Sequence, residues 1–280
     1  MQRQPYHLVE YSPWPVITGA AVFAAPLSFI VWVKTYRFTG LFVSLIIISL
    51  CMSVWWRDVS REGSFQGRHG EIVVRGLYVG IILFIVREVM FFFSFFWAYF
   101  HARLAPSIEV GLQWPPIGIT PVDAFGVPLL NTALLIVRGV RVTWAHHALE
   151  AGIHRSRLIG LGFTILLGAY FLSIQAIEYA ETSFSWADRI YGSCFFIATG
   201  FHGLHVIVGT IFLIVMFTRM AMSFMRPTHH VGFICAAWYW HFVDVVWLFL
   251  FVRIYWWGRF ISSLNLKHRF CKPKINTFFL

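Results

Sequence analysis

The chain has 280 residues, of which 59% are hydrophobic and 19% aromatic while only 12% are charged, a balance that excludes an ordinary soluble globular protein of this length. Its formal charge of +10 would suggest nucleic-acid binding in a soluble chain; here the basic residues sit largely in the gaps between apolar runs, where they report membrane orientation, and no nucleic-acid partner is read from them. Apolar runs long enough to cross a bilayer, each needing about 20 residues at about 1.5 Å rise, recur along almost the whole chain.

In chain order the predicted transmembrane helices, seven of them, cover 16–34, 41–56, 72–102, 129–148, 158–180, 191–218 and 232–257. They define an all-α membrane protein with a single domain over 1–258. The gaps carry turn residues: "RDVSREGSFQGRHGE" after the second span, "LAPSIEVGLQWPPIGITPVDAFGVP" after the third, "EAGIHRSR" after the fourth and "EYAETSFSWAD" after the fifth. With the N-terminus inside, the inner segments hold nine arginines (Arg3, Arg57, Arg61, Arg68, Arg75, Arg155, Arg157, Arg219 and Arg226) against four basic residues outside, and Glu178 is counted with the outer acidic residues. "MQRQPYHLVEYSPWP" lacks the pattern of a cleavable presequence. The four cysteines form no CxxC pair and are expected to act as small apolar residues.

Within the third span, "ILFIVREVMFFFSFFWAYFH" holds Arg87 and Glu88 side by side in an otherwise apolar helix. The i−4, i+4, i+7 and i+8 neighbours of Glu88 are Phe84, Phe92, Phe95 and Phe96, so its carboxyl group projects from an aromatic face at mid-membrane depth. There it is either protonated or paired with a cation such as a histidine of another span, and a functional role is the default for such a residue. Arg87 points about 100° away on the helix and is not expected to be that partner.

The histidines raise the question of metal or haem. His146–His147 and His229–His230 are adjacent pairs that one helix face cannot readily use together, and no metal site is predicted. His202 and His205, three apart in "GFHGLHVIVG", share a face and suit either ligation or hydrogen bonding between helices. His241 and Asp244 in "WYWHFVDVVWLFLF" form a buried polar pair, able to bond each other or a neighbouring helix, for packing specificity or for proton traffic. "WWRDVSREGSFQGRHG" combines an aromatic belt with interfacial charges, and is also the composition of a lipid head-group pocket.

Eight motifs, in order, carry a resemblance: "PYHLVEYSPWP", "WWRDVSREGSFQG", "EVMFFFSFFWAYFH", "LAPSIEVGLQWPPIGI", "VPLLNTALL", "TWAHHAL", "YGSCFFIATGFHGLHVIVG" and "AAWYWHFVDVVWLFLF" followed by "YWWG". Together they resemble the subunit III family of the haem–copper cytochrome c oxidases in its mitochondrial form. The resemblance implies seven helices with the first two separated from the other five by a lipid-filled cleft, in the mitochondrial inner membrane with the N-terminus on the matrix side. It implies no catalytic residue, metal or redox cofactor in this chain. Haem and copper would belong to the partner subunits I and II, which with accessory subunits reduce oxygen to water using electrons from cytochrome c and pump protons. By the same resemblance Glu88 is the functional carboxylate, influencing proton uptake or oxygen access, with His202 and His205 as candidate partners. Trp56, Arg61, Glu62, His69, Arg219 and His229 are candidate contacts to phospholipid.

A stand-alone proton channel or secondary transporter is the alternative, against which stands the lack of inverted repeats. Two features depart from the family pattern. Residues 259–280 form a basic tail, expected to be disordered or absent from the mature protein. Arg87, Arg138, Arg141 and Arg253 stand where the family has small residues, most often serine, with Arg103 and Arg189 repeating the pattern nearer the surface. Unpaired arginines at such depths are costly, so these positions are expected to be serine, encoded by AGA or AGG in a genetic code that reads those codons so; the alternative is that the arginines are real and snorkel or pair with carboxylates or lipid phosphate.

Overall fold

The computed structural model describes residues 6–108 and 111–258, so Arg3 and the basic tail 259–280 lie outside the described residues. Seven α-helices follow one another: α1 Trp14–Thr35, α2 Thr39–Ser64, α3 Glu71–Leu104, α4 Val127–Glu150, α5 His154–Glu181, α6 Arg189–Ala221 and α7 Val231–Leu250, the last continuing as a π-helical turn over Phe251–Trp256. Among the described residues there is no β-strand, only a single bridge between Arg226 and His229. Six of the seven are long and apolar enough to cross a membrane. α4 is less apolar because it carries Arg138, Arg141, His146 and His147 in addition to Asn131.

The largest difference from the predicted spans is in α2, which runs to Ser64 where the apolar pattern ends near residue 56. Charge ends the apolar run there without ending the helix. Arg57 donates to Asp58, and Trp14 Nε1 donates to Asp58 Oδ2 at 2.8 Å, so the polar extension is tied back to the start of α1.

The chain divides into two compact units at Val79–Gly80, within α3. In the first, α1 packs on α2 through small residues: the buried positions are Thr18, Ala21, Ser44 and Cys51, and a Cβ on Gly40 would lie 3.2 Å from Ser28 Oγ. Small residues at a helix seam allow close approach where lipid offers no hydrophobic drive to associate.

The second unit holds the core. α4 packs on α5, α5 on α6, α6 on α7, and α7 back on α4. Its centre is Trp240, fully buried against two glycines of neighbouring helices: a Cβ on Gly168 of α5 or on Gly209 of α6 would lie 3.0 or 2.9 Å from the indole. Large aromatic side chains span the distance to α3, with Phe91 and Phe95 meeting Phe201 of α6 and Phe92 meeting Phe242 of α7. α4 ends on Gly152, whose φ of +73° allows Ile153 N–H to donate to Ala148 O at 2.9 Å and start α5 after a short turn.

Candidate functional site

Glu88 lies where α3 faces α6. Its Oε2 is 3.0 Å from His205 Nε2, and His205 Nδ1–H donates to the carbonyl of Phe201 at 2.7 Å. With Nδ1 committed as a donor, the Glu88–His205 bond holds one proton that either side can carry, as imidazolium with carboxylate or as imidazole with carboxylic acid. Phe92 sits edge-on to the imidazole at 5.0 Å and Tyr239 stacks at 6.3 Å, so the pair is enclosed by rings. Only 13% of the Glu88 side chain is exposed.

Arg87 departs from its expected place. Its Nη2 reaches Glu88 Oε1 at 2.8 Å, although the two Cα–Cβ bonds diverge, because the arginine side chain is long enough to fold over the Phe84 ring at 4.7 Å and back onto its neighbour. Glu88 therefore holds two cationic or potentially cationic partners, one on each oxygen.

His202, the other expected partner, does not reach Glu88. It is 1% exposed, packs against Phe171 and Trp247 at 5.8 and 5.2 Å, and among the described residues has no hydrogen-bond partner on either nitrogen. Three residues along α6 turn it toward α5 and α7, whereas His205 looks toward α3.

His241 and Asp244 do not bond each other; both engage α4. Asp244 Oδ1 accepts from Arg138 Nε at 3.0 Å and lies 2.9 Å from Nη2, while Thr143 Oγ1 and His241 Nε2 are 3.4 Å apart. Arg138 is fully buried between the Phe171 and Trp240 rings, 4.8 and 4.7 Å from its guanidinium carbon. The expected lack of a partner at Arg138 is thus corrected by a carboxylate 106 residues away. Gly139 admits that carboxylate, since a Cβ there would lie 3.1 Å from Asp244 Oδ2. Arg141 and Arg253 lie over aromatic rings, Phe163 and Trp257, at 5.2 and 5.4 Å.

Arg103, expected near the surface, is 4% exposed. Its guanidinium stacks 3.8 Å from the Trp257 ring and donates to the carbonyls of Trp257 and Arg253 at 2.7 and 3.4 Å, capping the end of the last helix, where carbonyls lack intrahelical donors. Glu178, counted with the outer loops on sequence, is 3% exposed within α5 and accepts from Tyr255 Oη at 2.6 Å. Its tyrosine partner lies 77 residues away, beyond any local pattern.

The candidate lipid contacts fall in both units. In the first, Trp56 is 61% exposed and Arg61 is also on the surface; Glu62 Oε2 is 3.1 Å from His7 Nε2, and His69 sits edge-on to His7 at 5.4 Å. Gly63 makes room for His69, because a Cβ would fall 2.6 Å from its Nδ1. In the second, Arg219 is half-buried at the end of α6 and His229 is exposed before α7.

These features define a multi-pass, all-helical membrane protein with a carboxylate–imidazole pair enclosed among its helices. Residues 4–259 match the family model described as cytochrome c oxidase subunit III, and the chain belongs to that family. It is 53% identical over 257 residues to cytochrome c oxidase subunit 3 of Branchiostoma lanceolatum, covering 92% of this chain and 98% of the relative. It is 54% identical over 256 residues to that of Anopheles gambiae, with coverages of 91% and 98%, and 49% identical over 258 residues to that of Heterololigo bleekeri, with coverages of 92% and 100%.

Proposed function

We propose that the chain is a core, non-redox, lipid-binding subunit of cytochrome c oxidase in the mitochondrial inner membrane, its N-terminus on the matrix side. Beside subunits I and II and the accessory subunits, it supports proton uptake, oxygen access and turnover stability, while oxygen reduction by electrons from cytochrome c proceeds on the haem and copper of its partners. The observation that carries the reading is the Glu88–His205 bridge, a carboxylate and an imidazole 3.0 Å apart and enclosed among rings, in a chain of this family. Such a pair moves or buffers protons without touching the electron path. Trp56, Arg61, Glu62, His69, Arg219 and His229 offer indole N–H, carboxylate, imidazole and guanidinium groups suited to phospholipid head groups at interface depth.

The test is Glu88→Gln in the assembled oxidase. The amide keeps the shape and removes the shared proton. Electron transfer should stay nearly intact, while the rate of proton uptake falls or inactivation during turnover accelerates. Unchanged proton uptake together with an unchanged turnover lifetime would refute the assignment.

A further inference from the structure

Read helix by helix, the adjacent histidines at 146–147 and 229–230 could not share a ligand, but the fold joins one member of each pair. His146 Nε2 on α4 faces His230 Nε2, the residue just before α7, at 3.2 Å, and Glu150 Oε1 lies 3.7 Å from His146 Nε2. All three donor atoms fall within 4.8 Å of one another. Ligands of a tetrahedral ion at bond lengths of about 2.0–2.2 Å stand about 3.3–3.6 Å apart, so the His146–His230 and His146–Glu150 spacings of 3.2 and 3.7 Å are close to those of ligands on one centre.

Three further contacts orient these donors. His230 Nδ1 lies 3.3 Å from the carbonyl of Arg226, and donation of its proton there leaves the Nε2 lone pair directed at His146. The His146 ring is set by Phe233, 5.6 Å away, whose side chain is fully buried. The second oxygen of Glu150 lies 3.3 Å from His147 Nδ1, which turns the first toward the histidines. Glu150 and His146 sit one turn apart on the same face of α4.

From this geometry we infer that His146, Glu150 and His230 form a binding site for a divalent transition cation of the zinc class, clamping the end of α4 to the start of α7. Two imidazoles and one carboxylate suit Zn²⁺ and its neighbours and disfavour Ca²⁺ and Mg²⁺, which seek oxygen ligands in larger number. With 26% of His146 and 49% of Glu150 exposed, solvent supplies the fourth ligand, so the ion exchanges with the medium. On binding, His146 takes its Nδ1–H tautomer, so the proton held between the two Nε2 atoms moves by way of solvent to His146 Nδ1 and the ion takes its place. The site is separate from the Glu88–His205 pair and stands or falls independently of it.

Zinc added to the purified oxidase, after chelator treatment mild enough to spare its haem and copper centres, supplies the test. An anomalous difference map at the zinc edge should show a peak within bonding distance of His146, Glu150 and His230, and equilibrium dialysis should find one equivalent fewer in His230→Gln. Should that variant fail to assemble, His147→Ala, which alters a 71% exposed side chain and leaves every ligand in place, should weaken this site by about 10–100-fold. Excess Mg²⁺ should not displace the zinc. No peak at the three residues under saturating zinc, or a peak displaced equally well by Mg²⁺, would overturn the proposal.

Discussion

At the scale of single residues, the interior of the second unit is organised by ionisable groups that reach across helices. Arg138 and Asp244 are the most buried such pair, at 0% and 9% side-chain exposure. Removing one partner of a buried pair strands the other, so Asp244→Ala should destabilise the protein by about 3–5 kcal/mol, measured by thermal denaturation of the solubilised complex. If position 138 is serine in the mature protein, as expected from the family pattern, only a hydrogen bond is lost and the cost drops to about 1–3 kcal/mol. Peptide masses and the coding DNA decide directly: AGA or AGG at 87, 138, 141 and 253 with serine masses is the expected outcome, and CGN codons there would end the idea. Among the described residues the Arg138 Nη1 has no hydrogen-bond partner in full burial, while Nε and Nη2 face Asp244.

Among the elements, α5, α6 and α7 are held at close range by glycine against Trp240. An Ala in place of Gly ordinarily favours a helix by about 1 kcal/mol. Gly209→Ala should reverse that sign, because its Cβ would meet the buried indole at 2.9 Å, and overpacking of this kind costs about 1–3 kcal/mol. Gly192→Ala should be worse tolerated still, since its Cβ would fall 2.1 Å from the Ser185 backbone carbonyl, which no side-chain rotation relieves. Gly203→Ala on the same helix meets nothing within 4 Å among the described residues and should leave the thermal midpoint unchanged or raised. Equal effects from all three would show that helix propensity, not the Trp240 contact, governs α6.

For the whole molecule, the two units differ in how they hold together. Within the first, α1 and α2 bury only a few small residues and expose large apolar side chains such as Phe23, Val31 and Leu50. Such a surface is stable only against lipid or a protein neighbour. Phospholipid should therefore copurify with the chain, and Arg219→Ala should reduce both lipid content and the lifetime of the oxidase during turnover; no change in either would remove Arg219 from the lipid contacts. An optical spectrum of the isolated chain should show no stoichiometric haem, and a haem spectrum would contradict the non-redox reading.

What the sequence determined by itself was everything that depends on local composition. The apolar runs predict all seven helices, with the boundary of α2 missed because charge was taken for the helix end. Glu88 stands out as an ionisable residue on a phenylalanine face, and ordered motifs identify the family that residues 4–259 match. What only the tertiary structure decided was which group meets which. His205 rather than His202 faces Glu88, Asp244 takes Arg138 rather than His241, Glu178 is buried on Tyr255, and His146 is brought to His230. A helix forms from interactions within a few residues along the chain, so its period is written in the sequence. The rotation of one helix against another is set by the packing of distant side chains, here Trp240 between Gly168 and Gly209, and that rotation selects which of two histidines, one turn apart, points at a carboxylate 117 residues away.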